Sequence, residues 1–277
     1  MNKPIAVLDS GVGGFTVVKD LMRLLPFEEI VYYGDTARAP YGDRDKEEVQ
    51  QFTAEILHYL LRFEPKIVVI ACNTATAYAL EHVQKMVSIP VIGVIKPGAI
   101  AALQATKLGC IGVIGTTGTI NSKAYEQALY TLNPDIIIIS KACPQLVPLV
   151  EQGDFSSEAA YQNVLTAVKE LKDNKLDCLI LGCTHYPFLN KLLQKAIGEQ
   201  VSLIHSGYET AKQVKEHLRE RKLLSDRYGD YMTVSHTFIC SGELSMFQKI
   251  GREWLAAELY GQSSNWKSLM KEKLIQR

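Results

Sequence analysis

Short apolar runs rich in Val, Ile and Leu recur along this chain, and a stretch with helical patterning separates each from the next. Strands are expected near 5–9, 29–33, 67–71, 91–94, 111–114, 135–140, 177–181, 201–204 and 232–240. Helical patterns fill the gaps, notably at 45–63, 74–86, 156–173 and 208–224. Continuous apolar runs without alternation fit parallel strands buried on both faces. Strands alternating with helices define the α/β class, with mostly parallel sheets covered by helices on both sides.

A faint internal repeat refines this expectation. Ile5-Ala6-Val7-Leu8-Asp9-Ser10-Gly11 resembles Ile111-Gly112-Val113-Ile114-Gly115-Thr116-Thr117. A later strand in each half ends in cysteine, 63 residues after Asp9 at Cys72 and 68 residues after Gly115 at Cys183. The pattern predicts two similar α/β lobes facing each other across a cleft that holds the active site. The chain is expected to cross into the second lobe near Lys96-Pro97-Gly98 and to return near His205-Ser206-Gly207. The first lobe would then be discontinuous, 1–97 plus 208–277, and the second would be 98–207. A length of 277 residues is comfortable for two domains.

Thirty basic and thirty acidic residues balance to zero net charge, so nothing favours a nucleic acid or an anionic membrane as partner. A basic segment followed by a long apolar stretch is missing from the N-terminal residues, and no apolar run is long enough to span a bilayer. A cytosolic protein without a signal peptide is expected. Its six cysteines, Cys72, Cys110, Cys143, Cys178, Cys183 and Cys240, form no Cys-x-x-Cys pair, which argues against a zinc knuckle or a thioredoxin-like motif. In a reducing cytosol they are free thiols. Cys110, Cys178 and Cys240 lie in or beside expected strands and read as small core residues, and Cys143 before Pro144 reads as packing.

Cys72 and Cys183 differ from the rest. Each closes an apolar run and is followed at once by polar residues, Asn73-Thr74 and Thr184-His185. Both thiols should emerge at carboxyl ends of strands, where open α/β sheets place their ligands. Two thiols in equivalent places suit a racemase that uses one acid and one base. An unperturbed thiol titrates near ~8.5, so a thiolate must be favoured by its surroundings. Helix N-termini are expected to do this for both cysteines, with His185 assisting Cys183 and Asp9 assisting Cys72.

The turn Asp9-Ser10-Gly11-Val12-Gly13-Gly14 offers backbone N–H groups to an anion, or its glycines simply permit a tight turn. Its spacing is Gly-x-Gly-Gly, not that of a dinucleotide site, and the chain has no Gly-Lys-Ser/Thr phosphate loop. Gly115-Thr116-Thr117-Gly118-Thr119 adds hydroxyl and N–H donors. Residues 34–42, Gly-Asp-Thr-Ala-Arg-Ala-Pro-Tyr-Gly, read as a loop at a strand end. Such a set of donors fits a small dicarboxylate.

These motifs resemble glutamate racemase. The matching segments are Asp-Ser-Gly-Val-Gly-Gly at 9–14, Gly-Asp-Thr-Ala-Arg at 34–38 with Pro-Tyr-Gly at 40–42, Ala-Cys-Asn-Thr-Ala at 71–75 and Leu-Gly-Cys-Thr-His-Tyr-Pro at 181–187. Looser matches occur at 115–119 and 142–151. The resemblance implies proton transfer between L- and D-glutamate without cofactor or metal, in the service of peptidoglycan precursor synthesis. It implies Cys72 and Cys183 as the two bases, Cys183 for L-glutamate and Cys72 for D-glutamate, with Asp9, His185 and Glu151 assisting. It implies substrate contacts at Asp9, Ser10, Tyr41, Gly42, Asn73, Thr74, Thr116, Thr119, Thr184 and His185. His205-Ser206-Gly207 departs from the Asp-Ser of many members. Relatives are often dimers, which leaves a homodimer open.

Three alternatives compete. An aspartate racemase would share the architecture. A thiol phosphatase would need Arg where Tyr78 and Leu189 stand. A bilobal binding protein would use the anion donors and leave the paired thiols unexplained.

Overall fold

The structure is a computed structural model that describes residues 3–226 and 234–269. Among the described residues ten strands form two sheets: β1 (Ile5–Asp9), β2 (Ile30–Gly34), β3 (Ile67–Ile70), β4 (Val91–Gly93), β5 (Cys110–Gly115), β6 (Ile137–Ala142), β7 (Cys178–Gly182), β8 (Ser202–Ile204), β9 (Ser235–Cys240) and β10 (Ser263–Ser268). Between them lie α1 (Phe15–Leu24), α2 (Lys46–Leu60), α3 (Asn73–Gln84), α4 (Ile95–Ala105), α5 (Thr117–Asn121), α6 (Ala124–Leu132), α7 (Leu146–Glu151), α8 (Glu158–Val168), α9 (Asn190–Ile197), α10 (Ser206–Glu220) and α11 (Leu244–Trp254).

The first sheet has the order β10-β9-β2-β1-β3-β4 and the second β6-β5-β7-β8, and every pairing among the described residues is parallel. The second sheet therefore repeats the order β2-β1-β3-β4 of the first. Register agrees as well: Leu8 pairs with Ile70 and Ile114 pairs with Leu181, so each cysteine stands two residues beyond the partner of an equivalent strand position. The two-lobed α/β architecture expected from the repeat is present.

Side chains alternate across each strand and so feed two cores. Ile5 and Val7 of β1, with Leu179 and Leu181 of β7, belong to one apolar cluster that runs from the first sheet into the second. Ala6 and Leu8 face a second cluster with Ile56 and Leu57 of α2. Ile111, Val113 and Ile180 face a third, covered by α4 and α6. Helix α1 shows why such helices form where they do. Phe15, Val17, Val18, Leu21 and Met22 are buried, and each large apolar side chain contributes about 1.5–3 kcal/mol on burial.

Observed boundaries lie within a few residues of the expected ones, with three differences. The helical stretches 45–63 and 156–173 each finish in a 3-10 turn, Leu61–Phe63 and Lys169–Leu171. Lys96-Pro97-Gly98 sits inside α4. Strand β10 was not expected, because Ser-Ser-Asn-Trp-Lys-Ser carries almost no apolar signal. Its anchor is Trp266, stacked on Phe238 at 4.2 Å between ring centroids and seated against Gly251, where a Cβ would fall 2.5 Å from the indole. Residues 232–233 of the ninth expected strand and the tail 270–277 lie outside the described residues. Among the described residues no helix is long and apolar enough to cross a membrane.

Candidate active site

The carboxyl ends of β1, β3, β5 and β7 converge on one small cavity. Ser10, Pro40, Tyr41, Gly42, Cys72, Asn73 and Thr74 line it from the first sheet's side. Thr116, Val147, Cys183, Thr184 and His185 line it from the second. The two thiols thus line one cavity, one contributed by each sheet. The other four cysteines are free, buried thiols elsewhere in the fold.

Cys72 caps α3, with its sulfur accepting the Ala75 N–H at 3.5 Å. That cap does not make it acidic. Burial, reinforced by the Asp9 carboxylate, pushes the Cys72 thiol up to about 12 against the opposing pull of Ala75 and Ser10. The expectation that a helix N-terminus lowers both thiols is therefore corrected for Cys72. It is corrected for Cys183 for another reason: the segment after it is a turn leading into the 3-10 segment Tyr186–Leu189, and no α-helix begins until Asn190.

Cys183 has an imidazole instead. His185 Nδ1 lies 3.6 Å from Cys183 Sγ, and Nε2 lies 2.6 Å from Glu151 Oε1. Burial opposes the imidazolium, yet the contacts with Cys183 and Glu151 outweigh it and hold His185 well above the ordinary histidine range. Glu151 moves in the complementary direction: burial works against the carboxylate, but His185 holds it below its usual value. The three side chains are thus linked in series, Cys183 to His185 to Glu151.

Asp9 sits behind the cavity wall. It is fully buried at the end of β1, accepting the Gly11 N–H at 3.0 Å and the Thr184 hydroxyl at 3.1 Å. Burial raises its carboxyl despite His185 and the hydrogen bonds. Glu151 and Thr119 also lie outside the lining. Thr119 completes a hydroxyl cluster with Thr74, 2.8 Å from Thr116 and 3.2 Å from Thr119, which joins the two lobes. Gly118 N–H donates across the same gap to Gly42 O at 2.7 Å.

The Gly11–Gly14 turn serves a different purpose from the anticipated anion cradle. Only Ser10 of this stretch lines the cavity, and the Gly11 N–H is taken by Asp9. None of these glycines adopts a positive φ. They are required by close approach: a Cβ on Gly13 would lie 2.3 Å from Thr184 Oγ1 and 2.6 Å from His185 Nδ1, and one on Gly11 would lie 2.6 Å from Glu151 Oε1. Bare backbone lets the first lobe press directly on the second lobe's polar residues.

The loop after β2 is more than a connector. Asp35 is buried and accepts from the Ser241 hydroxyl at 2.7 Å, Arg38 Nε at 2.6 Å and the Tyr41 hydroxyl, while Arg38 also pairs with Glu55. This network holds Tyr41 and Gly42 in the cavity wall. Tyr125 of α6 is a contributor the sequence did not flag; its hydroxyl donates to Asn73 Oδ1 at 2.7 Å. Tyr32, also not flagged, donates to Gly11 O at 2.7 Å. His205 lies outside the lining, 3.0 Å from Asn190 Oδ1, and burial lowers it. Among the described residues no group of three His, Cys, Asp or Glu side chains is arranged to hold a metal ion.

Chemically, the cavity brings together two sulfurs, one from each sheet, with hydroxyl, amide and imidazole groups. Its volume is about 10 Å³, room for a single water, so the walls must part to admit a small anion. A family model described as Asp/Glu/Hydantoin racemase matches residues 16–214. A glutamate racemase of Bacillus cereus is 48% identical over 254 residues, covering 92% of this chain and 93% of the relative. The crystal structure of a glutamate racemase isoform from Bacillus anthracis superposes with a TM-score of 0.88 at 44% identity, covering 95% of this chain and 96% of that one. A glutamate racemase of Francisella tularensis solved in complex with D-glutamate gives a TM-score of 0.86 at 34% identity, covering 97% of both chains. On this extent of match, and with the paired thiols at equivalent strand ends, the chain belongs to the Asp/Glu/Hydantoin racemase family.

Proposed function

We propose that this protein interconverts L- and D-glutamate by a two-base proton transfer, and that it supplies D-glutamate for peptidoglycan precursor synthesis. The observation that supports the mechanism is that Cys72 and Cys183, one from each sheet, line one cavity. The similarity to glutamate racemases supports the substrate.

In this reading Cys183, as thiolate, removes the α-proton of L-glutamate from one face. The electron pair left at Cα is delocalised into the α-carboxylate. Cys72, whose buried thiol favours the protonated form, donates its proton to the opposite face. D-glutamate leaves, the two thiols have exchanged protonation states, and solvent must restore them. His185 partners the Cys183 thiolate, Glu151 keeps His185 charged and oriented, and Asp9 assists Cys72 from behind. Ser10, Asn73, Thr74 and Thr184 hold carboxylate and ammonium groups together with His185, Thr116, Tyr41 and Gly42 complete the pocket, and Thr119 steadies Thr74 and Thr116 from outside it. Donors fixed in a dry site stabilise developing charge without reorganising.

The test is polarimetric. Purified, reduced protein without added cofactor is expected to bring the circular dichroism of L-glutamate to zero, with L-aspartate converted far more slowly. Unchanged L-glutamate with folded protein would overturn the reading. Loop contact is a second point of test. Gly13→Ala is expected to force the turn away from Thr184 and His185, at a cost of about 1–3 kcal/mol of overpacking, and to lower kcat/KM for glutamate about 10-fold or more. Kinetics equal to wild type would show that the approach is incidental.

A further inference from the structure

Asn73 directly follows Cys72 and is almost wholly buried, and its amide is only half satisfied. Oδ1 accepts the Tyr125 hydroxyl at 2.7 Å, whereas Nδ2 has no hydrogen-bond partner although it is buried. Asn73 lines the cavity. A buried N–H donor is costly to leave unpaired unless a ligand meets it, and a carboxylate is the complementary group. An amide carbonyl in its place would repel the same carboxylate.

Tyr125 reaches Asn73 from the other lobe. It stands on α6, with its ring in the core beneath the second sheet. Two glycines make its slot. A Cβ on Gly98 would lie 3.2 Å from the Tyr125 hydroxyl, and a Cβ on Gly182 would lie 3.0 Å from the ring. Gly182 is the residue before Cys183. A single side chain therefore packs under one thiol-bearing strand end and hydrogen-bonds the residue beside the other thiol.

We infer that Tyr125 is a positioning residue for the proposed racemisation: it engages the Asn73 carbonyl so that the Asn73 amide nitrogen faces the substrate carboxylate. The inference rests on the reading of the cavity as a glutamate site. Tyr125 itself touches no reacting atom; it acts through Asn73 and through the relative placement of the two strand ends.

The test is a double-mutant cycle in steady-state kinetics with L- and D-glutamate, using Tyr125→Phe, Asn73→Ala and the pair. Tyr125→Phe removes only the hydroxyl and leaves the ring in its slot. It is expected to raise KM about 5–10-fold, the equivalent of one hydrogen bond, with kcat changed less than about 3-fold. In the Asn73→Ala background the same change should have no further effect, because the group it orients is gone. Equal fold-losses in both backgrounds, accompanied by a lower unfolding midpoint, would mean a merely structural role and would overturn the inference. So would a Tyr125→Phe enzyme with wild-type KM. A wild-type protein inactive on both enantiomers would instead overturn the glutamate reading, and the inference with it.

Discussion

Cys72→Ala and Cys183→Ala are each expected to lower racemisation by about 10³–10⁴-fold in both directions, near the upper end of what a positioned acid or base contributes. Each substitution deletes one small buried side chain, so stability should fall by only about 1 kcal/mol. Chemical denaturation of the variants therefore separates chemistry from folding. The loss should also be selective. With Cys183 retained, the Cys72 variant should still wash the α-proton out of L-glutamate in heavy water. With Cys72 retained, the Cys183 variant should do so with D-glutamate. Substantial turnover by either variant would remove that thiol from the mechanism.

His185→Asn is expected to produce the next largest effect, a fall of about 10²-fold in kcat/KM, because it breaks the contacts with both Cys183 and Glu151. The fall must be the same from either side: the enantiomers have equal free energy, so kcat/KM in the two directions stays equal in every variant. The asymmetry appears in the separate constants. Losing the cation beside Cys183 disfavours the enzyme form that binds L-glutamate, so KM for L-glutamate should rise relative to KM for D-glutamate. An unchanged KM ratio would argue that His185 only positions substrate.

The same pair sets a pH window. The His185 pKa is raised, so its contribution to stability is complete below the ordinary histidine value and is lost as pH rises through the raised one. The Glu151 pKa is lowered, so its contribution is present above the ordinary carboxylate value and is lost as pH falls through the lowered one. Between those limits the ion pair is intact. Glu151→Gln should narrow the alkaline side of the activity profile, since the imidazolium loses its counter-charge.

Much of this architecture is written locally in the chain. Parallel strands such as Ile67–Ile70 and Cys178–Gly182 carry unbroken apolar runs, and the polar residue types change abruptly where those runs stop. Strand ends and thiols could therefore be read together. Contacts made only by folding could not. Glu151 meets His185 across 34 residues, and it entered the sequence reading by resemblance alone. Tyr125 meets Asn73 across 52 residues from inside an ordinary helical segment, and nothing local marks it. The glycines of the first turn were visible, but their reason was tertiary: the obstacle to a side chain is Thr184 and His185, not the local backbone. Cys183 was expected at a helix start, whereas Tyr186-Pro187 opens a 3-10 segment instead of an α-helix and leaves His185 as the neighbour of the thiol.

The central claim is that protons leave and arrive on different sulfurs. Racemisation of L-glutamate in heavy water, stopped at low conversion and analysed by mass for each enantiomer, tests it most directly. Thiol protons exchange with solvent, so the account predicts deuterium in the D-glutamate formed and protium in the L-glutamate remaining. Product D-glutamate that keeps its original proton, or recovered L-glutamate that gains deuterium as fast as product forms, would mean that a single group handles both faces and would contradict it.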